Sequence, residues 1–136
     1  MSPDAQHLWS FLPRGYALTV ALELPVLLVG LSPRHPLPRR IFAGFWLTAC
    51  TYPIVVLVLP PLVWTRWGET TYLIVAETFA PAAECLLFWW LFCRSEIAPI
   101  AGPSPALSTL RDMAAIVAAN IVSFLLGGWI VERLFS

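Results

Sequence analysis

Three glutamates, Glu23, Glu77 and Glu84, lie within long apolar stretches that contain no arginine or lysine to neutralise them. A carboxylate at the centre of a bilayer costs about 3 kcal/mol or more unless it is protonated, paired or bound to a cation. Such acids therefore tend to face the interior of a helical bundle and to mark a functional site. These three residues are the first place to look for function in this chain.

The rest of the chain has the composition of an integral membrane protein. Apolar residues make up 59% of its 136 residues and charged residues 12%, whereas about a quarter of the residues in a soluble domain are charged. A span needs about 20 mostly apolar residues to cross roughly 30 Å of hydrocarbon. The sequence predicts an all-α membrane protein, an antiparallel four-helix transmembrane bundle with proline-kinked helices. It forms one domain over residues 1–136, with spans at about 16–31, 41–64, 71–93 and 110–131.

Arginine sets the expected orientation, because the chain contains no lysine. The first and third connections carry Arg34, Arg39, Arg40, Arg94 and Arg111, against Arg14, Arg66 and Arg133 on the other side. Cytoplasmic loops carry an excess of basic residues, so we expect the first and third connections in the cytoplasm and both termini outside. The net charge of zero argues against a nucleic-acid role, since no basic patch is available to neutralise phosphates.

Polar residues from all four predicted helices fall close to the same depth. A spacing of seven places Glu77 and Glu84 on one side of the third helix, and mid-helix prolines leave nearby carbonyl groups without donors. The resulting donor set is all oxygen, which suits a proton or a hard cation such as Na⁺, Ca²⁺, Mg²⁺ or Mn²⁺. The predicted metal ligands are Glu23, Glu77 and Glu84, with Thr48, Thr51, Tyr52, Asn120 and Ser123 as supporting polar residues.

A purely structural role is the main alternative for some of these groups. Protonated glutamates and asparagines often join helices through hydrogen bonds worth about 0.6 kcal/mol each, and we favour this role for Asn120 with Ser123. Three acids in so small a bundle favour function instead, because serine, threonine or asparagine would join helices at lower cost.

Three features outside this layer carry expectations of their own. His35 lies in the proline-rich first connection, where we expect it to be solvated. Thr109 and Asp112 fit a capping box that starts the fourth helix. We expect the aromatic side chains from Phe88 to Trp90 to face lipid and to anchor the end of a span at the membrane interface.

Four short motifs, one in each predicted span, resemble those of a recurring group of uncharacterised small four-helix prokaryotic integral membrane proteins. They are Glu23-Leu24-Pro25, Thr51-Tyr52-Pro53, Ala76-Glu77 with Glu84, and Asn120-Ile121-Val122-Ser123. The resemblance implies a shared fold, a shared midplane site and a place in the inner membrane of a prokaryotic cell, but no activity. Where that group tends to carry asparagine three residues before the threonine of Thr-x-Pro, this chain has Thr48.

Two classes of function follow from these patterns. The first is a small cation-binding or transport protein whose glutamates alternate between protonated and cation-bound states, since transporters share the midplane site and the interrupted helices. The second is a non-catalytic accessory subunit whose carboxyls meet an arginine or lysine of a partner within the membrane. A weaker alternative is an intramembrane enzyme with a glutamate pair as acid and base, in the manner of lipid isomerases. No nucleophile, histidine or cofactor motif accompanies the acids, so no catalytic residue is predicted.

The expected surroundings follow from the size of the bundle. Its main partner is the lipid bilayer, and a bundle this small encloses little more than one site. A transporter built from it is therefore expected to form a homodimer or to join a larger membrane complex.

Overall fold

The computed structural model describes residues 5–94 and 104–135. In these two ranges the chain forms helices and no strand, which confirms the all-α class. The main helices are α1 (Ala5–Gly30), α2 (Leu37–Pro53), α3 (Thr65–Phe88) and α4 (Pro105–Phe135). Two short π-helical segments, Ile54–Val58 and Pro60–Trp64, join α2 to α3, and a third, Trp89–Cys93, extends α3.

Three helical stretches of the described chain are long and apolar enough to cross a membrane, namely Gln6–Gly30, Leu37–Cys93 and Pro105–Arg133. The first helix begins at Ala5, before the first expected span of about 16–31. The last begins at Pro105, so Thr109 and Asp112 lie inside α4 and do not cap it. The expected capping box is therefore wrong.

The outer surface of the helices is apolar. Val29 is 79% exposed, and Leu86 and Leu125 are each more than 60% exposed. Exposed apolar area on this scale is unfavourable in water, whereas lipid tails are as apolar as leucine. Helices also satisfy their backbone hydrogen bonds internally, as a membrane span requires. The surface thus agrees with the integral membrane location expected from composition.

The middle stretch folds back on itself at Gly68. This glycine has φ 84° and ψ 175°, a conformation that residues with a Cβ atom rarely adopt. A straight helix of 57 residues would run about 85 Å, but here side chains from its two parts meet. The hydroxyl of Thr51 lies 2.6 Å from Oε1 of Glu84, and the hydroxyl of Tyr72 donates to the carbonyl of Val55.

The interior is divided into a packed half and a cavity half. The packed half contains a cluster of buried apolar side chains from every main helix: Leu27, Leu31, Ala43, Leu47, Phe88, Ala115, Ile116 and Ala119. Phe88, expected to face lipid, is fully buried in this cluster, whereas its neighbours Trp89 and Trp90 are exposed. The cavity half lies toward the start of α1 and the end of α4, and it holds a cavity lined by residues of all four helices.

Two arginines cap the C-terminal end of α1. The last carbonyl groups of a helix have no partner within it, and cations at that end also favour the helix dipole. Arg40 donates to the carbonyl of Leu28 at 2.6 Å, and Arg111 donates to that of Gly30 at 2.9 Å. The same two guanidinium groups also bond the carbonyls of Val29, Ser32 and His35.

Candidate functional site

A buried polar layer separates the packed half from the cavity half. It consists of Glu23 from α1, Thr48 and Thr51 from α2, Glu84 from α3 and Asn120 from α4. The first four side chains are at most 3% exposed, and Asn120 is 7% exposed. All four main helices therefore contribute to one layer, as the depth of these residues in the sequence predicted.

Hydrogen bonds join the members of this polar layer in two groups. Thr48 Oγ1 lies 2.9 Å from Oε2 of Glu23. On Glu84, Thr51 Oγ1 lies 2.6 Å from Oε1, and the Asn120 amide donates to Oε2 at 2.8 Å. Both oxygens of Glu84 are thus engaged by neighbouring helices.

Each threonine hydroxyl in the polar layer lies near two acceptors. Thr48 Oγ1 is also 2.9 Å from the carbonyl oxygen of Gly44, and Thr51 Oγ1 is 3.1 Å from that of Leu47. A hydroxyl has one proton to donate and two lone pairs that accept. Each threonine can make two full hydrogen bonds, without sharing its one proton between two acceptors, when the carboxyl carries a proton and donates it to the threonine oxygen. The geometry is therefore fully satisfied when the carboxyls are protonated.

A cavity of about 210 Å³ opens beside the polar layer. All eight residues predicted for the site line it: Glu23, Glu77, Glu84, Thr48, Thr51, Tyr52, Asn120 and Ser123. Among the residues that the structure describes, those that line this cavity include no arginine, lysine or histidine. The cavity therefore collects three acids without a basic group to neutralise them.

Glu77 differs from the other two acids. It is only half-buried, whereas Glu23 and Glu84 are nearly inaccessible. Across residues 5–94 and 104–135, hydrogen bonds engage the carboxyls of Glu23 and Glu84 but not that of Glu77. Glu77 is thus the cavity acid best placed to meet an incoming ligand.

The three carboxyls do not converge on one point. Oxygen atoms that bind the same cation lie within about 5 Å of one another, since each is about 2.5 Å from the ion. Within the described ranges, ligand atoms of three His, Cys, Asp or Glu side chains approach within 4.8 Å only at His35, Cys93 and Asp112. Direct ligation of one small ion by Glu23, Glu77 and Glu84 together would therefore require side-chain movement.

A second buried network, which sequence reasoning missed, lies at the far end of the packed half. The carboxylate of Asp112, which is fully buried, accepts hydrogen bonds from the backbone N–H of Ser32 at 2.6 Å and from Arg34 at 2.8 Å. His35 Nε2 lies 2.9 Å from the same carboxylate, and Arg39 lies 3.2 Å from Nδ1 of that ring. A guanidinium only donates, so Nδ1 accepts and Nε2 carries the proton donated to Asp112.

This Asp112 network corrects the expectation for His35, which is 1% exposed and not solvated. No local pattern reveals the network, because its two parts lie 77 or more positions apart in the chain.

The cluster of His35, Cys93 and Asp112 does not fit a metal ion. Arg34 Nη2 lies 2.8 Å from Asp112 and 3.3 Å from Cys93 Sγ, so a cation already occupies the space between them.

Comparison of the chain with protein-family models, with curated proteins and with solved structures finds no significant match. Function is therefore argued from the residues of the cavity and their chemistry.

Proposed function

We propose that the chain crosses the membrane four times as an antiparallel bundle, with its prolines as kink points and with Gly68 in the second connection. Contacts between α1 and α4 support this arrangement, because Gly30 approaches Ala115 and Leu22 approaches Gly127. Residue numbers thus rise along α1 in the direction in which they fall along α4, as in an antiparallel pair of helices. The two hydrogen bonds that join the parts of the chain on either side of Gly68 show the same pattern, because Thr51 contacts Glu84 and Val55 contacts Tyr72. Both termini then lie on the side of the membrane toward which the cavity half points.

We propose that this membrane protein binds a cation in the cavity and carries it across the bilayer in exchange for protons. The observation behind the proposal is that three acids from α1 and α3 line one cavity that has no basic lining residue. An ionised carboxyl there needs a positive partner, because burial without one costs several kcal/mol. The side-chain acceptor atoms of the lining are all oxygen, which makes Na⁺, Ca²⁺, Mg²⁺ and Mn²⁺ candidates by ligand chemistry.

The threonine contacts support a proton-loaded resting state. With Glu84 protonated, its O–H donates to Thr51, Thr51 donates to the carbonyl of Leu47, and Asn120 donates to the other carboxyl oxygen. Loss of that proton leaves Thr51 with two competing acceptors. A cation that enters the cavity stabilises the ionised carboxyl at that moment, which couples cation binding to proton release.

The test is a cation titration of the purified protein in weakly buffered detergent, with proton release and thermal unfolding measured together. We expect at least one cation to raise the melting temperature and release protons in the wild type. Glu77→Gln and Glu84→Gln should reduce both signals. Glu69→Gln is the matched control, because Glu69 is exposed and lies outside the cavity. The proposal is wrong if no cation produces either signal.

The unbonded carboxyl of Glu77 also fits a second function, that of an accessory subunit. A partner helix that inserts an arginine or lysine beside Glu77 would neutralise it within the membrane. Co-purification in mild detergent separates the two functions. A stoichiometric partner that is lost from Glu77→Gln and kept by Glu69→Gln would favour the accessory role.

A further inference from the structure

The cavity is much larger than a bare metal ion. Its volume is about 210 Å³, and an apolar cavity of about 150 Å³ is large enough to bind benzene. A single ion held directly by carboxyls would leave most of this space to be filled by water. A ligand that fills the cavity is therefore at least as large as a small organic molecule.

Part of the cavity lining is apolar and aromatic. Phe11 from α1, Tyr52 from α2 and Phe124 from α4 all line the cavity, together with Leu18, Val55 and Val131. Apolar side chains offer no hydrogen bonds to the water shell of a hydrated metal ion. Aromatic faces instead attract organic cations, and aromatic cages recognise quaternary ammonium groups in this way.

Two glycines leave room on the α4 side of the cavity. A Cβ atom added to Gly128 would meet nothing within 4 Å, and one added to Gly127 would come no closer than 3.8 Å to Leu22. Both glycines line the cavity. The space beside these glycines is thus kept open by the absence of side chains on this part of α4.

We propose that the cavity binds a small organic ammonium ion, an amine or a quaternary ammonium compound, with its charged group at Glu77 and its apolar part against Phe11 and Phe124. This inference rests on the proposed cation-binding function and names the class of cation. Glu77 carries the charge recognition because its carboxyl is the one that no neighbouring helix engages. The two phenylalanines favour an organic cation over a hydrated metal ion, because they offer no hydrogen bonds to its water shell.

Isothermal titration of the purified protein in detergent tests this inference with choline, butylammonium, Na⁺ and Ca²⁺ as separate probes. A neutral analogue of choline, 3,3-dimethyl-1-butanol, has the same shape without the charge. We expect an ammonium probe to bind and the neutral analogue to fail. Glu77→Gln should weaken ammonium binding by about ten- to hundredfold, the effect of losing one charged hydrogen bond, while Glu69→Gln should leave it unchanged.

A steric variant tests the position of the ligand without changing any acid. Gly127→Val would place two methyl groups in the cavity where the added Cβ meets no close neighbour. We expect it to weaken choline binding at least as strongly as Glu77→Gln does. Monodisperse elution and an unchanged helical circular dichroism spectrum would show that each variant is folded.

The outcomes separate this inference from the proposed function. If Na⁺ or Ca²⁺ binds through Glu77 and no ammonium probe does, the organic ligand class is wrong and cation binding stands. If no probe binds at all, both are wrong. Equal binding of choline and its neutral analogue would identify an apolar cavity that does not recognise charge, and this too would overturn the inference.

Discussion

Thr51 and Glu84 are joined by a 2.6 Å contact between Oγ1 and Oε1 that links the two parts of the middle stretch on either side of Gly68. Thr51→Val keeps the shape of the side chain and removes the hydroxyl. One buried carboxyl oxygen then loses its partner, which we expect to lower the free energy of unfolding by about 1–3 kcal/mol. Chemical or thermal unfolding in detergent, followed by circular dichroism, measures the loss.

Thr78, a threonine on α3, provides the control for the Thr51→Val substitution. Thr78 is exposed, and its hydroxyl also bonds a carbonyl of its own helix, that of Ile74. Thr78→Val should therefore change stability little, and Thr51→Ser should retain the wild-type value. Equal losses in Thr51→Val and Thr78→Val would show that the contact with Glu84 contributes nothing.

Gly30 lies at a close approach of α1 to α4. A Cβ atom added there would lie 2.8 Å from Cβ of Ala115, which cannot move without its backbone. We expect Gly30→Ala to destabilise the protein by about 1–3 kcal/mol through overpacking. Gly128→Ala meets open space and should be neutral or stabilising by up to about 1 kcal/mol, because alanine favours helix. Unfolding curves that rank the two variants in the reverse order would contradict this helix packing.

Asp112→Asn removes the charge that holds the first connection to α4. Arg34, with 18% of its side chain exposed, would then lack its carboxylate partner, and one amide oxygen would replace the two oxygens that accept from Ser32, Arg34 and His35. Breaking a buried ion pair on one side costs about 3–5 kcal/mol, and we expect a loss near the lower end. Because Asp112 is fully buried, raising the salt concentration should not reproduce the effect of the substitution. A variant as stable as the wild type would rule out a structural role for this network.

Reporter fusions test the four-span arrangement. We expect reporters at the two termini and one inserted beside Gly68 to give the same sidedness, and a reporter inserted near residue 100 to give the opposite one. The reason is that each helical stretch separated by a turn crosses about 30 Å of hydrocarbon once. Termini on opposite sides would require an odd number of spans.

The polar layer could be predicted from sequence because its information is local to each helix. Long apolar runs identify the spans, and an acid within such a run must face inward. A spacing of seven then places Glu77 and Glu84 on one face, and both line the cavity. The distance of the Glu23 carboxyl from these two could not be predicted, because it depends on how α1 packs against α3.

The Asp112 network escaped prediction for the opposite reason. His35 and Asp112 look like loop and cap residues in their own segments, and only the contact between α4 and the first connection buries them. The start of α1 is also not visible in the sequence. Arg14 and Pro13 interrupt the apolar pattern before Tyr16, yet the helix runs through them, since a long helix can carry polar groups near its end.

The guanidinium groups of Arg40 and Arg111 have a consequence for how this chain can vary. Positive charge near a span directs insertion into the membrane, and for that purpose lysine is as good as arginine. Arg40, however, reaches three carbonyl groups at once through the planar fork of its guanidinium, which a single ammonium group cannot reproduce. A lysine at position 40 would preserve the sidedness signal while leaving the end of α1 open. We therefore expect Arg40→Lys to leave insertion unchanged and to weaken the packing of the folded helices.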